Sequence, residues 1–443
     1  MRLILAVLLC KILRFVGKLI GKGSSLPGQF ALKVCPDVLG RVKLPDRVIA
    51  VTGSNGKTST VEMIAAILTA DGKQVVYNKE GSNQIEGVTT LILSNCTLSG
   101  KMRGDVLLLE SDERYAKFTF QWFHPTHFVI TNLYRDQLTR NGHPEWVYES
   151  IQPAIHPETI LVLNADDPLV SCFGTENEGQ RVAWFGLEEC SVSTDRPRGV
   201  YDDGQRCPIC KCKLTYLYYH YHHIGHYICP HCGHHRHMPD FAVTSLDLEK
   251  GRLTIDGKYD VELAFRSIYN VYNILAAWSV CALCGADKER MAGVISNYIL
   301  KNDRMVTFTL GAHKGTLLTS KHENSVAYDT NLDYIAARKE PCEVMIIVDA
   351  ISRKYFTGET SWLWDIDFDR LNIGSVERVW LCGRYVNDLA LRFDYSQVPP
   401  EKVVLCESIA EAADRLKEEG ELPLYVLTCF SDRDKLLALT KRD

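Results

Sequence analysis

The sequence predicts an α/β protein with two parallel-sheet domains, the first of which carries a small metal-binding insertion. Three observations predict this fold. Short apolar runs alternate with helix-length segments, which is typical of parallel sheets covered on both faces. A glycine-rich turn follows the first run of the central region. Two Cys-x-x-Cys pairs interrupt the alternation between residues 200 and 240.

Composition and charge exclude several classes of protein. The 443 residues are 46% hydrophobic and 24% charged, which excludes a disordered, collagen-like or coiled-coil chain. The net charge of −5 gives no overall basic field that would attract nucleic acid, so we expect no nucleic-acid partner. Sixteen Cys are too sparse for a disulfide scaffold and indicate a reducing cytoplasm.

Residues 1–45 are predicted to form an amphipathic N-terminal helix and a lead-in. The first 36 residues carry six Lys and Arg side chains and no acid, and the uncharged run at residues 3–10 is far shorter than the ~20 residues that span a bilayer. On a helix the basic face holds Lys11, Arg14, Lys18 and Lys22, and the apolar face holds Ile12, Phe15, Val16 and Leu19. Two interpretations remain open: a helix packed on the protein body, or peripheral contact with the anionic inner face of the membrane.

The central domain is predicted at residues 46–304 and a second α/β domain at residues 305–443. The predicted central strands are residues 47–52, 105–109, 127–131, 159–163 and 181–185, followed by a strand pair at 246–248 and 253–255 and a helix at 269–283. Residues 302–314 are interpreted as a linker or domain junction. The predicted strands of the second domain are residues 344–348, 378–381, 402–405 and 424–428, with helices at 408–419 and 433–439.

Residues 52–59, Thr-Gly-Ser-Asn-Gly-Lys-Thr-Ser, are the strongest chemical signal and predict a nucleotide-binding loop. Glycines let backbone N–H groups surround phosphate oxygens at the start of the following helix. Lys57 would reach the terminal phosphates, and the Thr58 hydroxyl would bind Mg²⁺. The predicted nucleotide contacts in the loop are Gly53, Ser54, Asn55, Gly56, Lys57, Thr58 and Ser59. Val51 stands where the general phosphate-loop pattern has its first glycine.

The two Cys-x-x-Cys pairs predict a structural zinc ribbon at residues 203–238. Cys207 and Cys210 form one pair, Cys229 and Cys232 the other, and the intervening hairpin would bring the four thiolates together around Zn²⁺. Cys212 could replace one of these four ligands, but its spacing fits a zinc site less well. Four Cys ligands leave no open position for catalysis. The eight His between residues 220 and 237 are interpreted as exposed ribbon residues.

The loop string resembles the ATP site of the Mur ligases, which activate a carboxylate as an acyl phosphate and then form an amide. Further matches follow in the same order along the chain. They are Glu110 after the strand at 105–109, the Asn-Ala-Asp-Asp-Pro string at 164–168, Asn270 and Asn273 at a helix start, and Arg304. The resemblance implies ATP as cofactor, Mg²⁺ on Thr58 and Glu110, adenine near Asn270 and Asn273, and catalytic roles for Lys57 and Glu110. It also implies a Rossmann-like C-terminal α/β domain.

A zinc ribbon inserted in a Mur-ligase core resembles the MurT branch, the synthetase subunits of lipid II isoglutaminyl synthase. Strings at residues 22–28, 80–83, 131–137 and 360–365 support this resemblance. It implies amidation of the D-glutamate α-carboxylate of lipid II, a peptidoglycan precursor, to D-isoglutamine. It also implies a heterodimer with a GatD-like glutaminase that supplies ammonia.

The chain departs from the branch at two positions. By the resemblance, Glu359 occupies the position of an Asp that orients the catalytic His of the glutaminase, so Glu359 is predicted as a catalytic residue with that orienting role. The Asn-Pro-x-Gly segment of the branch is reduced to Asn331. Two alternatives remain: a divergent Mur-type ligase that joins another carboxylate to an amino acid or free ammonia, and a nucleotide-gated binding module.

Overall fold

The structure is a computed structural model that describes the chain except for residues 20–23, 79–82, 176–178, 198, 202, 299–304, 352–357 and 443. It forms two compact units. The first comprises Met1–Tyr134, His143–Pro197 and Asp202–Leu300, and the second comprises Arg135–Gly142, Arg198–Tyr201 and Lys301–Asp443.

The helices and strands up to residue 296 follow the predicted alternation. The helices are α1 (Arg2–Leu19), α2 (Leu26–Val34), α3 (Val38–Arg41), α4 (Lys57–Ala70), α5 (Ile85–Ser94), α6 (Ala116–Phe120), α7 (Leu138–Asn141, in the second unit), α8 (Pro144–Ile151), α9 (Pro168–Thr175), α10 (Ile268–Leu283) and α11 (Lys288–Ser296). The strands are β1 (Arg47–Thr52), β2 (Val75–Tyr77), β3 (Val106–Glu110), β4 (His127–Ile130), β5 (Ile160–Asn164), β6 (Val182–Leu187), β7 (Thr215–Tyr221), β8 (Ile224–Ile228), β9 (Phe241–Asp247), β10 (Arg252–Ile255) and β11 (Tyr259–Glu262).

The first unit is built around a sheet in the order β11-β10-β9-β6-β5-β4-β1-β3-β2. From β9 to β2 neighbouring strands run parallel, whereas β9, β10 and β11 form an antiparallel meander. β1 lies between β3 and β4 and is buried along nearly its whole length, as expected for a strand covered on both faces. The carboxyl end of β1 therefore opens at the middle of the sheet, where ligands of such folds bind.

The predicted ribbon lies between β6 and β9 in the chain. β7 and β8 form a two-stranded antiparallel hairpin separate from the main sheet. β6 and β9 are themselves parallel neighbours, with Phe185 opposite Phe241. The insertion therefore leaves the sheet after β6 and re-enters it beside the same strand.

The N-terminal helix packs on the first unit through a face that the sequence did not indicate. Ala6, Val7 and Cys10 are fully buried, whereas Ile12 and Phe15 of the predicted apolar face are exposed. α2 then approaches α5 so closely that a Cβ at Gly28 would collide with the Glu86 carbonyl oxygen. Among the described residues, none of the helices has both the length and the apolar character that crossing a bilayer requires.

The second unit contains the remaining elements. The helices are α12 (Ser325–Ala336), α13 (Val386–Asp394), α14 (Ile409–Glu418) and α15 (Phe430–Leu437), and the strands are β12 (Met305–Leu310), β13 (His313–Ser320), β14 (Cys342–Ile347), β15 (Val376–Cys382), β16 (Val403–Cys406), β17 (Leu424–Cys429) and β18 (Lys441–Arg442). The sheet order is β16-β15-β14-β17-β13-β12-β18, parallel from β16 to β13.

The interpretation of residues 302–314 as a linker is wrong from Met305 onward. β12 occupies Met305–Leu310 and pairs antiparallel with β13. Phe308 and Leu310 are buried in the core of the second unit, and only alternate residues of this strand face inward. A half-buried strand gives a weak apolar signal because inward apolar residues alternate with outward polar ones, here Thr307 and Thr309.

Candidate functional site

The glycine-rich loop leaves β1 at Thr52 and enters α4 at Lys57. Gly53 and Gly56 adopt positive φ angles of 130° and 86°, which side-chain-bearing residues rarely adopt. A Cβ at Gly53 would also collide with the Thr131 hydroxyl. The loop therefore needs glycine at both positions, and it ends at a helix N-terminus, where free N–H groups attract anions.

The end of β4 holds this loop in place. Ser54 donates its backbone N–H to Asn132 O at 2.9 Å and its hydroxyl to Tyr134 O at 3.0 Å. Asn55 donates its N–H to Asn132 Oδ1 at 2.9 Å and accepts from the Thr131 hydroxyl at 2.8 Å. These bonds fix the loop before any ligand binds, which lowers the entropic cost of binding.

Lys57 is buried and has two partners within the site. Its ammonium donates to the Gly53 carbonyl at 2.5 Å and forms a short ion pair with the buried carboxylate of Glu113. Burial raises the pKa of Glu113, and the charge of Lys57 opposes that shift. Sequence analysis missed Glu113; the signal available was an acid three residues beyond Glu110, at the same edge of the sheet.

The predicted Mg²⁺ ligands lie beside the loop. Glu110 is the last residue of β3 and stands opposite Val51 of β1 in the parallel ladder. Thr58 is exposed in the first turn of α4. A carboxylate and a hydroxyl are oxygen donors of the kind that Mg²⁺ prefers, so these residues fit the ion.

The start of α10 reaches the same loop. A Cβ at Gly56 would collide with Asn273 Oδ1, so the Asn273 side chain lies against the loop. Asn270 donates its amide to Phe265 O at 3.2 Å, which anchors the first turn of the helix. Arg304 lies outside the described residues. The nucleotide-binding roles of these residues remain predictions.

The string at residues 164–168 supplies two buried carboxylates at the end of β5. Asp167 accepts from the N–H groups of Leu169, Val170 and Leu133 at 2.8–3.1 Å, which caps α9 and ties it to β4. Asp166 forms a different set of contacts, with the ribbon and with α10.

The ribbon brings its four predicted ligands together. The Sγ atoms of Cys207 and Cys232 are 3.5 Å apart, and those of Cys210 and Cys229 are 3.4 Å apart. Tetrahedral zinc with Zn–S bonds of 2.3 Å separates its sulfur ligands by about 3.8 Å. The four thiols therefore fit Zn²⁺. Cys212 and His231 also lie close enough to share Cys210 in a three-ligand set.

The interpretation of the ribbon His as exposed is wrong for half of them. His220, His222, His223 and His234 are buried, because the ribbon packs on the sheet of the first unit rather than extending into solvent. His220 Nε2 lies 3.0 Å from Leu187 O, and His234 Nε2 lies 2.9 Å from Pro168 O. Burial lowers the pKa of His220.

Glu359 belongs to the second unit. Its carboxylate accepts the Ser361 N–H at 2.7 Å, and the hydrogen bonds from Ser361 hold its pKa below the ordinary value. The neighbouring Thr360 hydroxyl donates to Asp388 at 2.7 Å. Asn331 donates to the Ser320 hydroxyl at 3.0 Å, at the end of β13.

Two family profiles match separate parts of the chain. The Mur ligase middle domain matches residues 51–228, which contain the phosphate loop, and the MurT ligase C-terminal profile matches residues 322–432. The chain belongs to the Mur ligase family. Mur ligases use ATP and Mg²⁺.

The curated relatives cover nearly the whole chain. The chain is 29% identical over 424 residues to the MurT subunit of the glutamine-hydrolysing lipid II isoglutaminyl synthase of Streptococcus pneumoniae, which covers 94% of this chain and 92% of that protein. It is also 29% identical over 398 residues to the MurT subunit from Staphylococcus aureus strain N315, covering 89% and 88%.

Solved structures share the fold. A pseudomurein peptide ligase type C from Methanothermus fervidus has a TM-score of 0.70 at 20% identity, covering 91% of this chain and 80% of that one. MurF from Acinetobacter baumannii has a TM-score of 0.63 at 16% identity, covering 93% and 80%. The predicted Mur-ligase-like α/β fold is therefore confirmed.

Proposed function

We propose that this chain is the synthetase subunit of a MurT-type enzyme that amidates the D-glutamate α-carboxylate of lipid II. The observation that carries the proposal is a prearranged phosphate loop with a buried Lys57, in a chain that aligns over nine-tenths of its length with MurT subunits. ATP supplies the γ-phosphoryl group to the carboxylate oxygen, which releases ADP. Ammonia then attacks the acyl carbon, phosphate leaves, and D-isoglutamine remains.

Different residues of the loop and its surroundings would stabilise the phosphates, Mg²⁺ and adenine. The N–H groups at the start of α4 and the Lys57 ammonium face the position where phosphoryl charge develops. Thr58 and Glu110 would hold Mg²⁺, while Asn270 and Asn273 would border the adenine. By resemblance Arg304 completes the nucleotide contacts.

Ammonia is proposed to come from a GatD-like glutaminase in a heterodimer with this chain. Glu359 would accept a hydrogen bond from the catalytic His of that partner. Its side chain is one methylene longer than the Asp of the branch, and a displacement of about 1 Å alters catalysis. One oxygen accepts from Ser361 N–H, which fixes the carboxylate next to its own backbone.

The decisive experiment is mass spectrometry of lipid II after incubation with the protein, ATP and ammonium. We expect replacement of a hydroxyl by an amine, together with release of phosphate that depends on lipid II. Nucleotide hydrolysis without dependence on the acceptor would instead favour the nucleotide-gated binding module. Amidation of a different carboxylate would favour the divergent ligase.

We also propose that α1 rests on an anionic membrane surface on the cytoplasmic side. Its exposed face carries Ile4, Leu5, Leu8, Ile12, Phe15 and Val16, with Phe15 at 72% exposure. These positions fall within one third of the helix circumference, and Arg2 and Lys11 lie at its borders. An apolar stripe with basic flanks matches the acyl boundary and the phosphate headgroups of an anionic bilayer.

Co-sedimentation with vesicles tests the membrane contact. Leu8→Asp with Phe15→Asp should lower binding to phosphatidylglycerol vesicles by about tenfold or more, since each side chain loses a favourable transfer term. Leu217→Asp, at an exposed Leu of the ribbon, is the matched control and should bind like the unaltered protein. Equal binding of all three proteins would overturn the proposal.

A further inference from the structure

One carboxylate connects the ribbon to the nucleotide-binding unit. Asp166 is fully buried and accepts from Arg236 Nε of the ribbon at 2.6 Å. Its other oxygen accepts from the Tyr272 hydroxyl of α10 at 2.6 Å and from Leu187 N–H at 2.8 Å. The ribbon and α10 therefore share one buried charge, and the position of each is coupled to that of the other.

Ring packing adds a second connection between the same two elements. Tyr221, the last residue of β7, packs its ring against Tyr269, with ring centroids 4.5 Å apart, and edge-on against Tyr272 at 5.5 Å. Such aromatic pairs have preferred geometries, so they fix orientation as well as distance. The first turn of α10 thus rests on the ribbon hairpin.

The same part of α10 also contacts the phosphate loop. Asn273 follows Tyr272 directly, and its side-chain oxygen lies against Gly56. A short turn of helix therefore separates the ribbon from the glycine loop. Tyr272, which joins this turn to the ribbon through Asp166, is 1% exposed.

We infer that the zinc ribbon positions the nucleotide site, acting through Arg236, Asp166 and Tyr272 on the first turn of α10. This inference rests on the proposed function, in which that turn borders the adenine. A folded ribbon holds Asn270 and Asn273 in their binding positions, and a disordered ribbon releases them. Arg236 and Tyr272 are thus positioning residues, and the zinc ligands contribute to nucleotide affinity from outside the site.

Two tyrosine substitutions separate positioning from general stability. Tyr272→Phe removes only the hydroxyl that joins α10 to Asp166. Tyr227→Phe removes a buried ribbon hydroxyl of the same kind, which bonds Ser171 on α9 rather than α10. We expect Tyr272→Phe to raise the Kd for a non-hydrolysable ATP analogue by about 10- to 150-fold, the range for a hydrogen bond to a charged group.

The control variant and the kinetic constants show whether Tyr272 positions the nucleotide site or only stabilises the fold. Tyr227→Phe should lower the melting temperature comparably but leave the analogue Kd within about twofold, because α10 keeps its contacts. KM for ATP should rise in Tyr272→Phe with little change in kcat. An unchanged Kd in Tyr272→Phe, or equal losses in both variants, would overturn the inference. Failure of the unaltered protein to bind the analogue would instead overturn the proposed function.

Linkage between two binding events is reciprocal, which gives a test independent of activity. Bound ATP analogue should slow the release of Zn²⁺ to a chromogenic chelator, and Tyr272→Phe should weaken that protection severalfold. Tyr227→Phe should retain it. Zinc release that is insensitive to nucleotide in the unaltered protein would contradict the coupling.

Discussion

The ammonium of Lys57 and the carboxylate of Glu113 neutralise each other inside the phosphate loop. A buried pair of this kind is costly to break, because removing one partner leaves an uncompensated charge in a poorly solvated site. Nucleotide phosphates offer Lys57 another negative partner. Glu113 therefore influences both the stability of the empty site and its affinity for nucleotide.

Lys57→Ala should abolish acceptor-dependent phosphate release, with a loss of about 100-fold or more, since the loop loses the cation that faces the developing phosphoryl charge. Lys101→Ala, at an exposed lysine of the same unit, serves as the control. A phosphate-release assay with lipid II measures both variants. Unchanged turnover of Lys57→Ala would contradict the loop assignment.

Glu113→Gln should lower the melting temperature of the nucleotide-free protein, because Lys57 loses its buried counter-charge. The same variant should gain more stabilisation from ATP than the unaltered protein does, since phosphate then restores the missing negative charge. Thermal unfolding with and without ATP, in the absence of added Mg²⁺, measures the difference. A nucleotide-induced shift equal to that of the unaltered protein would argue against competition for Lys57.

Individual site residues were predictable where they lie close together in the sequence and form a recognisable motif. The loop glycines, Lys57 and the four thiols that fit zinc stand in short strings whose spacing fixes their geometry. Glu113, Asn132 and Arg236 were not predictable, because their partners lie about 50 to 80 residues away in the chain. Only the folded sheet brings these side chains together.

Among the elements, α12 carries a buried acid that makes the second unit sensitive to pH. Asp329 accepts the Asp367 N–H at 3.0 Å and lies 3.8 Å from Arg370, whose guanidinium also pairs with Asp333 and Asp367. Burial raises the pKa of Asp329 to about 7, against the lowering effect of Arg370. The protonated form is therefore favoured in the folded protein over much of the acidic range.

A raised acid pKa makes folding less favourable as pH increases. Stability from Asp329 is fully present below its unfolded pKa of about 4 and is lost as pH rises through about 7. Asp329→Asn keeps the hydrogen bond to Asp367 N–H without a titrating group. It should raise stability at pH 8 relative to pH 5 by roughly 1–3 kcal/mol compared with the unaltered protein. Urea unfolding at both pH values tests this, and parallel pH profiles would refute it.

Elements with an unambiguous apolar pattern were predicted well. The buried strands β1, β3, β4 and β5 match their predicted positions to within one residue at each end. β2 and β11 were missed: β2 has only three residues, and the exposed edge strand β11 alternates polar and apolar residues. For α1 the prediction of the packed face was wrong: Ile12 and Phe15 are exposed, whereas Ala6, Val7 and Cys10, which the prediction did not name, are buried. Apolar residues occur on both sides of this helix, so its pattern does not identify the side that packs.

At the scale of the whole molecule, two α/β units follow one another, as the alternation of runs predicted. The second unit also includes Arg135–Gly142 and Arg198–Tyr201, although both segments lie within the sequence range of the first unit. The sequence of these two segments contains no local pattern that would assign them to the second unit. The residues proposed to phosphorylate the substrate carboxylate belong to the first unit, whereas Glu359, the proposed glutaminase contact, belongs to the second.

Glu359→Gln, assayed in the complete heterodimer, tests whether the second unit acts on the glutaminase and not on the amidation step. Glutamine-dependent amidation should fall by about tenfold or more, because Gln cannot stabilise a charged His on the partner. Amidation with free ammonium should stay within about twofold. Glu340→Gln, at an exposed acid of the same unit, is the control. Equal losses with both nitrogen sources would refute an orienting role for Glu359.

The parallel pairing of β6 with β9 has a consequence for folding. Two consecutive parallel strands need a crossover that carries the chain back along the sheet, a task that usually falls to a helix. Here the residues between β6 and β9 include the hairpin flanked by the four Cys that fit zinc, so a metal bound there would stabilise this return of the chain to the sheet. Excising the hairpin would remove the connection on which β9, β10 and β11 depend for their place in the sheet. Zinc supply during synthesis should consequently determine whether this half of the first unit assembles at all.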